Sequence, residues 1–84
     1  MKGMMFTEFL DMVEAGHGLA VKDRIIREAA LPNDGAYTSV GSYPHQELLR
    51  LAGALSKVTG VPTSELMLVF ADTVFVLFLR RYKP

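Results

Sequence analysis

The groups that could do chemistry in this 84-residue chain are few. Its two histidines are His17, inside Gly16-His17-Gly18, and His45, directly after Pro44. Neither has a second ligand-type residue three or four positions further on, the spacing that puts two donors on one helix face. His17 reads as a solvated residue at a helix end, where a cation suits the carbonyl pole, and His45 as a surface residue of a first helical turn. A single-histidine metal or heme ligand is the alternative for each. Cysteine is absent, which excludes disulfides, thiolate nucleophiles, iron–sulfur clusters and Cys-based zinc sites. No HExxH, nucleophile elbow, Walker loop or GxGxxG occurs, and Gly16-x-Gly18 is too short to cradle a phosphate. Glu8/Asp11 and Asp11/Glu14 stand three apart and read as a solvated helix face, while Arg80-Arg81 with Lys83 forms a basic end. No set of groups here can be matched in pKa and geometry for acid–base or nucleophilic work, so the residues argue against an enzyme.

What remains is soft apolar surface. Met5, Phe9, Met12, Met67, Phe70, Phe75 and Phe78 would serve as core, and they would equally line a pocket for a flat apolar cofactor. Hydrophobic residues make up 50% of the chain and the mean hydropathy is +0.23. A chain this short has a thin core and much surface, so part of that apolar content is expected to face a partner or ligand. Nine basic residues balance nine acidic ones, which speaks against nucleic acid as a partner. Glu8, Asp11 and Glu14 follow at once on Met4-Met5-Phe6, so there is no signal-peptide hydrophobic region and a cytoplasmic setting is expected.

Four apolar blocks must position these groups. Met5, Phe9 and Val13, with Phe6 and Leu10 beside them, predict an amphipathic helix over about 3–15, ended by Gly16-His17-Gly18. Val21, Ile25, Ile26 and Ala29 predict a second over about 19–30, closed by the turn Pro32-Asn33-Asp34-Gly35. Residues 36–43 read as an irregular connector or a very short strand with no visible partner. Pro44 suits the first position of a third helix, which carries Leu48, Leu51, Ala52, Leu55 and Val58 and stops at Gly60. A fourth opens near Pro62, with Glu65 favoured by the helix dipole and Val61 able to staple against Leu66. The expected class is all-α, four helices in one domain over 1–84.

Residues 66–79 of the fourth helix are apolar nearly all round. A membrane span needs about 20 apolar residues. This run is shorter and carries Asp72 at its middle. A central core helix covered on every side is one reading, and a helix that partly meets a ligand or a second chain is another. Val74, Val76 and the alternating Phe residues leave a buried strand over 74–79 as a further option.

The order of features is more specific than any one of them. Met1-Lys2-Gly3 with apolar residues at 5, 6, 9 and 10, the Ile25-Ile26 helix, Leu31-Pro32-Asn33-Asp34-Gly35-Ala36-Tyr37, and Tyr43-Pro44-His45-Gln46-Glu47 resemble the N-terminal half of heme nitric-oxide/oxygen-binding (H-NOX) domains. So does Leu55-Ser56-Lys57-Val58-Thr59-Gly60-Val61-Pro62-Thr63-Ser64-Glu65-Leu66, followed by an aromatic-rich helix to Tyr82, and the resemblance runs through the chain in one register. Ala71-Asp72 departs mildly from a Gly-polar pair common in such domains.

That resemblance implies a function. A family domain about twice this length holds heme b between an N-terminal helical subdomain on the gas side and a C-terminal α/β subdomain. Met5, Phe9, Val74 and Phe78 match family positions that face the heme or shape the distal pocket. All four are apolar, which suits nitric oxide or carbon monoxide better than oxygen. The implied role is gas sensing with a signalling protein as partner. The family's proximal histidine and its Tyr-x-Ser-x-Arg propionate clamp match nothing in these 84 residues, and neither His17 nor His45 takes the proximal position. These residues alone are therefore expected to bind heme weakly or not at all, and to self-associate through the exposed half of helix 66–79 and the Met5/Phe9 stripe. A heme-free helical interaction module is the alternative.

Overall fold

The computed structural model describes residues 1–81, the side chains of Phe78 and Arg81 excepted. Four helices follow one another: α1 (Gly3–His17), α2 (Leu19–Ala29), α3 (His45–Thr59) and α4 (Thr63–Arg81). The all-α expectation holds, and no strand forms among the described residues. Residues 74–79 are helical, because they continue a helix already nucleated at Thr63.

Each boundary has a local cause. Gly18 breaks the chain between α1 and α2 with φ 90°, ψ 166°, and its amide still donates to the Glu14 carbonyl at 2.9 Å. α1 runs through Gly16 to His17, slightly past the expected end. Ala30 closes α2 in the left-handed region (φ 50°, ψ 55°), and its carbonyl accepts a hydrogen bond from Arg50 Nη2 at 2.8 Å. In the turn that follows, Asn33 Oδ1 accepts from the Gly35 amide at 3.1 Å, the side-chain-to-backbone bond for which Asn favours turns. Pro44 stands one place before α3 rather than inside it, with extended backbone (φ −61°, ψ 133°). Gly60 ends α3 at φ 77°, the left-handed cap expected of it, and α4 leaves at 117° to α3.

The central helix is α3. Leu51, Ala52 and Leu55 are fully buried and Leu48 nearly so; α3 packs against α2 on one side and α4 on the other. α1 adds Phe6, Phe9, Leu10 and Val13, α2 adds Ile25 and Ala29, and α4 adds Leu66 and Phe70. The reading of α4 as a helix covered on every side is thereby corrected. α2 and α4 flank α3, α1 packs on α2 and α4, and α4 keeps much of its apolar surface open.

The long connector between α2 and α3 folds back on the N-terminus. Lys2 and Ser42 form an antiparallel bridge, the partner that the sequence does not reveal for residues 36–43. The Gly3 amide donates to the Gly41 carbonyl at 2.8 Å and the Tyr43 amide to the Met1 carbonyl at 2.9 Å. This pairing supplies the first turn of α1 with an acceptor, since Lys2 offers no side-chain cap.

Candidate functional site

Of the sequence-predicted residues, Met5 and Phe9 lie on α1 and Val74 and Phe78 on α4, two helices that touch at Phe9. There the ring of Phe9 meets Phe70 edge-on, with centroids 5.2 Å apart and planes at 85°. One turn further along α1, the sulfur of Met12 lies 3.8 Å from the Thr73 hydroxyl. That hydroxyl has one proton, and the shorter contact takes it: Thr73 Oγ1 donates to the Val69 carbonyl at 3.0 Å. Val74 follows directly, half-buried against the core, and Met5 lies half-buried one turn before Phe9. Phe9 itself is fully buried, so it backs the surface rather than forming it. On the same two helices Met5, Met12, Met67 and Val74 pack against the core while staying partly exposed, and all four are apolar. Phe78, the fourth predicted residue, has its side chain outside the described residues.

α4 has three faces. Leu66 and Phe70 enter the core; Met67 and Val74 pack partly buried against it; and Leu68, Phe75 and Leu79 point away from it. A step of 100° per residue places these last three on one stripe opposite the core. They are 71%, 59% and 51% exposed, and Asp72 is exposed beside them.

A second cluster, which the sequence reading missed, joins the connector to α1. Tyr37 Oη donates to Glu47 Oε1 at 2.7 Å, and Glu47 is the one buried charged side chain among the described residues. Burial first, then the hydrogen bond to Glu47, holds the Tyr37 phenol well above its ordinary pKa. Phe6 stacks on Tyr37 (4.3 Å, 17°) and meets the edge of Tyr43 at 5.6 Å, while Tyr37 and Tyr43 are themselves edge-to-face at 4.7 Å. The Tyr43 hydroxyl accepts from the Thr38 amide at 3.0 Å. The Thr38 side chain and amide together hold the Tyr43 phenol below its ordinary value. Spacing alone could not find this cluster, because Tyr37 lies in a connector without helical periodicity and Glu47 stands ten residues on, in the first turn of α3.

The histidines stay apart from the crossing in role. Both are exposed, His17 at the end of α1 and His45 at the start of α3. Among the described residues no three His, Cys, Asp or Glu side chains come close enough to hold a metal ion. No single helix among them is long and apolar enough to cross a membrane. The surface concavities, one between α2 and α3 at Glu28, Arg50 and Lys57 and one at Asp23, Ile26 and Asp34, are open and lie away from the crossing residues.

Residues 2–84 match the haem-NO-binding family. The chain belongs to that family. Two solved structures share its fold: the Fe(II) unliganded H-NOX protein from K. algicida, at 43% identity and a TM-score of 0.93, and its A71G mutant, at 41% and 0.93. Each alignment covers 98% of this chain and 44% of the other, so this chain spans less than half the length of those H-NOX proteins. No curated protein matches it. The resemblance drawn from the motifs is thus confirmed at the level of family and fold.

Proposed function

We propose that this chain forms the gas-side wall of a heme site in a sensor of diatomic gases, with Met5 and Val74 as the surface, Phe9 as its backing, and Phe78 as the fourth contributor. The observation that carries the reading is the α1–α4 crossing. The two helices that meet there carry Met5, Met12, Met67 and Val74, apolar and partly exposed over the core, residue types that fit one face of a flat apolar macrocycle. Heme b supplies the iron that coordinates the gas. The chain's own residues exclude water from that side and offer the gas no hydrogen-bond donor, because the nearby Thr73 proton is committed to the Val69 carbonyl. Such a wall favours nitric oxide or carbon monoxide, which need less polar stabilisation than oxygen. The change on binding passes to a signalling protein. Neither His17 nor His45 stands at the wall, so these residues bind heme weakly by themselves.

Titration of the chain with hemin, followed by absorption and sedimentation, tests this. The expected result is a broad Soret band of low affinity, weakened further by Met5→Glu and Val74→Glu and unchanged by Leu68→Glu. Insensitivity to Met5→Glu, or a sharp stoichiometric band on a monomer, would overturn it.

The outer stripe of α4 supports a second property, self-association of the chain. Leu68, Phe75 and Leu79 expose contiguous apolar surface that neither the core nor the wall uses. Sedimentation velocity should show association that Phe75→Lys abolishes; a monomer at all concentrations would refute it.

A further inference from the structure

Burying a carboxylate in a small core is costly, and an apolar residue would serve packing better. Glu47 is nonetheless 8% exposed in the first turn of α3, and its partner, the Tyr37 hydroxyl, reaches it at 2.7 Å from the connector. The bond fixes the Tyr37 ring. On that ring sits Phe6, fully buried, stacked at 4.3 Å and also touching Tyr43. Phe6 is the neighbour of Met5 on α1, about 100° round the helix. Whatever sets the rotation of Phe6 therefore sets where Met5 points. The backbone reinforces the same turn: Gly3 donates to Gly41, Tyr43 donates to Met1, and the terminal ammonium donates to the Tyr43 carbonyl at 2.9 Å.

We propose that Tyr37 and Glu47 are positioning residues for the gas-side wall: their hydrogen bond holds the aromatic platform under Phe6 and so fixes how α1 presents Met5. The meaning given to Met5 rests on the reading above, whereas the clasp rests on this geometry. The clasp joins the connector to α3 and reaches α1 through Phe6, so its own two residues need never touch a ligand. It is polar because direction matters here: an apolar contact would tolerate sliding, and a short bond to a charged acceptor does not.

The experiment uses the full chain with isotope-labelled methionine methyls, read by NMR, with Met67 as internal reference. Tyr37→Phe keeps the ring and removes the hydroxyl; Glu47→Gln keeps an acceptor; Glu47→Ala removes it. Tyr37→Phe should shift the Met5 methyl, leave Met67 in place, and speed hydrogen exchange at the Gly3 and Tyr43 amides by about tenfold or more, the scale of a lost bond to a charged group. Glu47→Ala should do the same and Glu47→Gln should largely restore the parent spectrum. A folded Tyr37→Phe with an unmoved Met5 methyl and unchanged exchange would overturn the proposal, as would Glu47→Gln behaving like Glu47→Ala. Zinc protoporphyrin added to the parent chain separates the two claims. Absence of any Met5 response to it overturns the wall reading, while a Met5 shift caused by Tyr37→Phe still supports the clasp.

Discussion

Two glycine-to-alanine substitutions should move stability in opposite directions. At Gly3 an added Cβ would sit 1.7 Å from the Thr38 carbonyl oxygen and 2.9 Å from the Tyr43 ring. An ordinary carbon–oxygen approach is about 3.3 Å, so the backbone has to part by more than a bond length. Parting it breaks Gly3-to-Gly41, Tyr43-to-Met1 and the ammonium bond to Tyr43. At about 1 kcal/mol net each, the loss is about 3 kcal/mol, before any loss of aromatic packing. A domain of this size holds only about 4–12 kcal/mol in total. At Gly53, inside α3, an added Cβ meets nothing within 4 Å, so the helical preference of alanine acts alone. That gain is about 0.5–1 kcal/mol. Urea melts followed by far-ultraviolet circular dichroism should place Gly3→Ala well below the parent and Gly53→Ala slightly above it. In thermal melts the same difference is a fall of more than about 12 °C against a rise of about 4 °C. A Gly3→Ala variant as stable as the parent would refute the pairing of the N-terminus with residues 41–43. A destabilised Gly53→Ala would refute the open surface assigned to that side of α3.

Two further outcomes follow from local chemistry. The Tyr37 phenol is raised in the folded chain, so the stability it contributes is complete below its ordinary pKa of about 10 and is lost as pH climbs above that. Ultraviolet titration of phenolate should show Tyr43, held below its ordinary value by Thr38, ionising before Tyr37, and Tyr37→Phe should delete the highest step; persistence of that step would sink the assignment. Ala30 closes α2 with φ 50°, a conformation that costs a side chain about 1–2 kcal/mol, so Ala30→Gly should raise the melting temperature by a few degrees, and a fall would show that the Arg50 bond to its carbonyl had been disturbed.

The helices were legible because their signals are local. Gly18, Gly60 and the prolines at 44 and 62 mark breaks within a residue or two, and the Phe9/Val13 and Leu51/Leu55 spacings mark buried faces. Pairings across the chain were not legible. Lys2 and Ser42 are 40 residues apart, and a single bridge leaves no alternation to read. Tyr37 and Glu47 look like an ordinary loop tyrosine and an ordinary acidic residue in a first helical turn; only the fold buries them together. α4 left more than one reading open for a different reason. Apolar residues on all sides tell how much surface wants cover and say nothing of what covers it, and here the core takes Leu66 and Phe70 while Leu68, Phe75 and Leu79 stay open. The site residues came from the family resemblance; the fold leaves Met5 and Val74 partly exposed and buries Phe9, and the Phe78 side chain lies outside the described residues.

The central claim is that the α1–α4 crossing is the wall that meets the heme. Zinc protoporphyrin, titrated into chain labelled at methionine and valine methyls, tests it most directly, since the ring current of the macrocycle shifts the methyls it covers. The account predicts shifts at Met5 and Val74, with Met12 and Met67 following less strongly. Shifts confined to Val40 in the connector between α2 and α3, or to Met1 at the N-terminus, would contradict it.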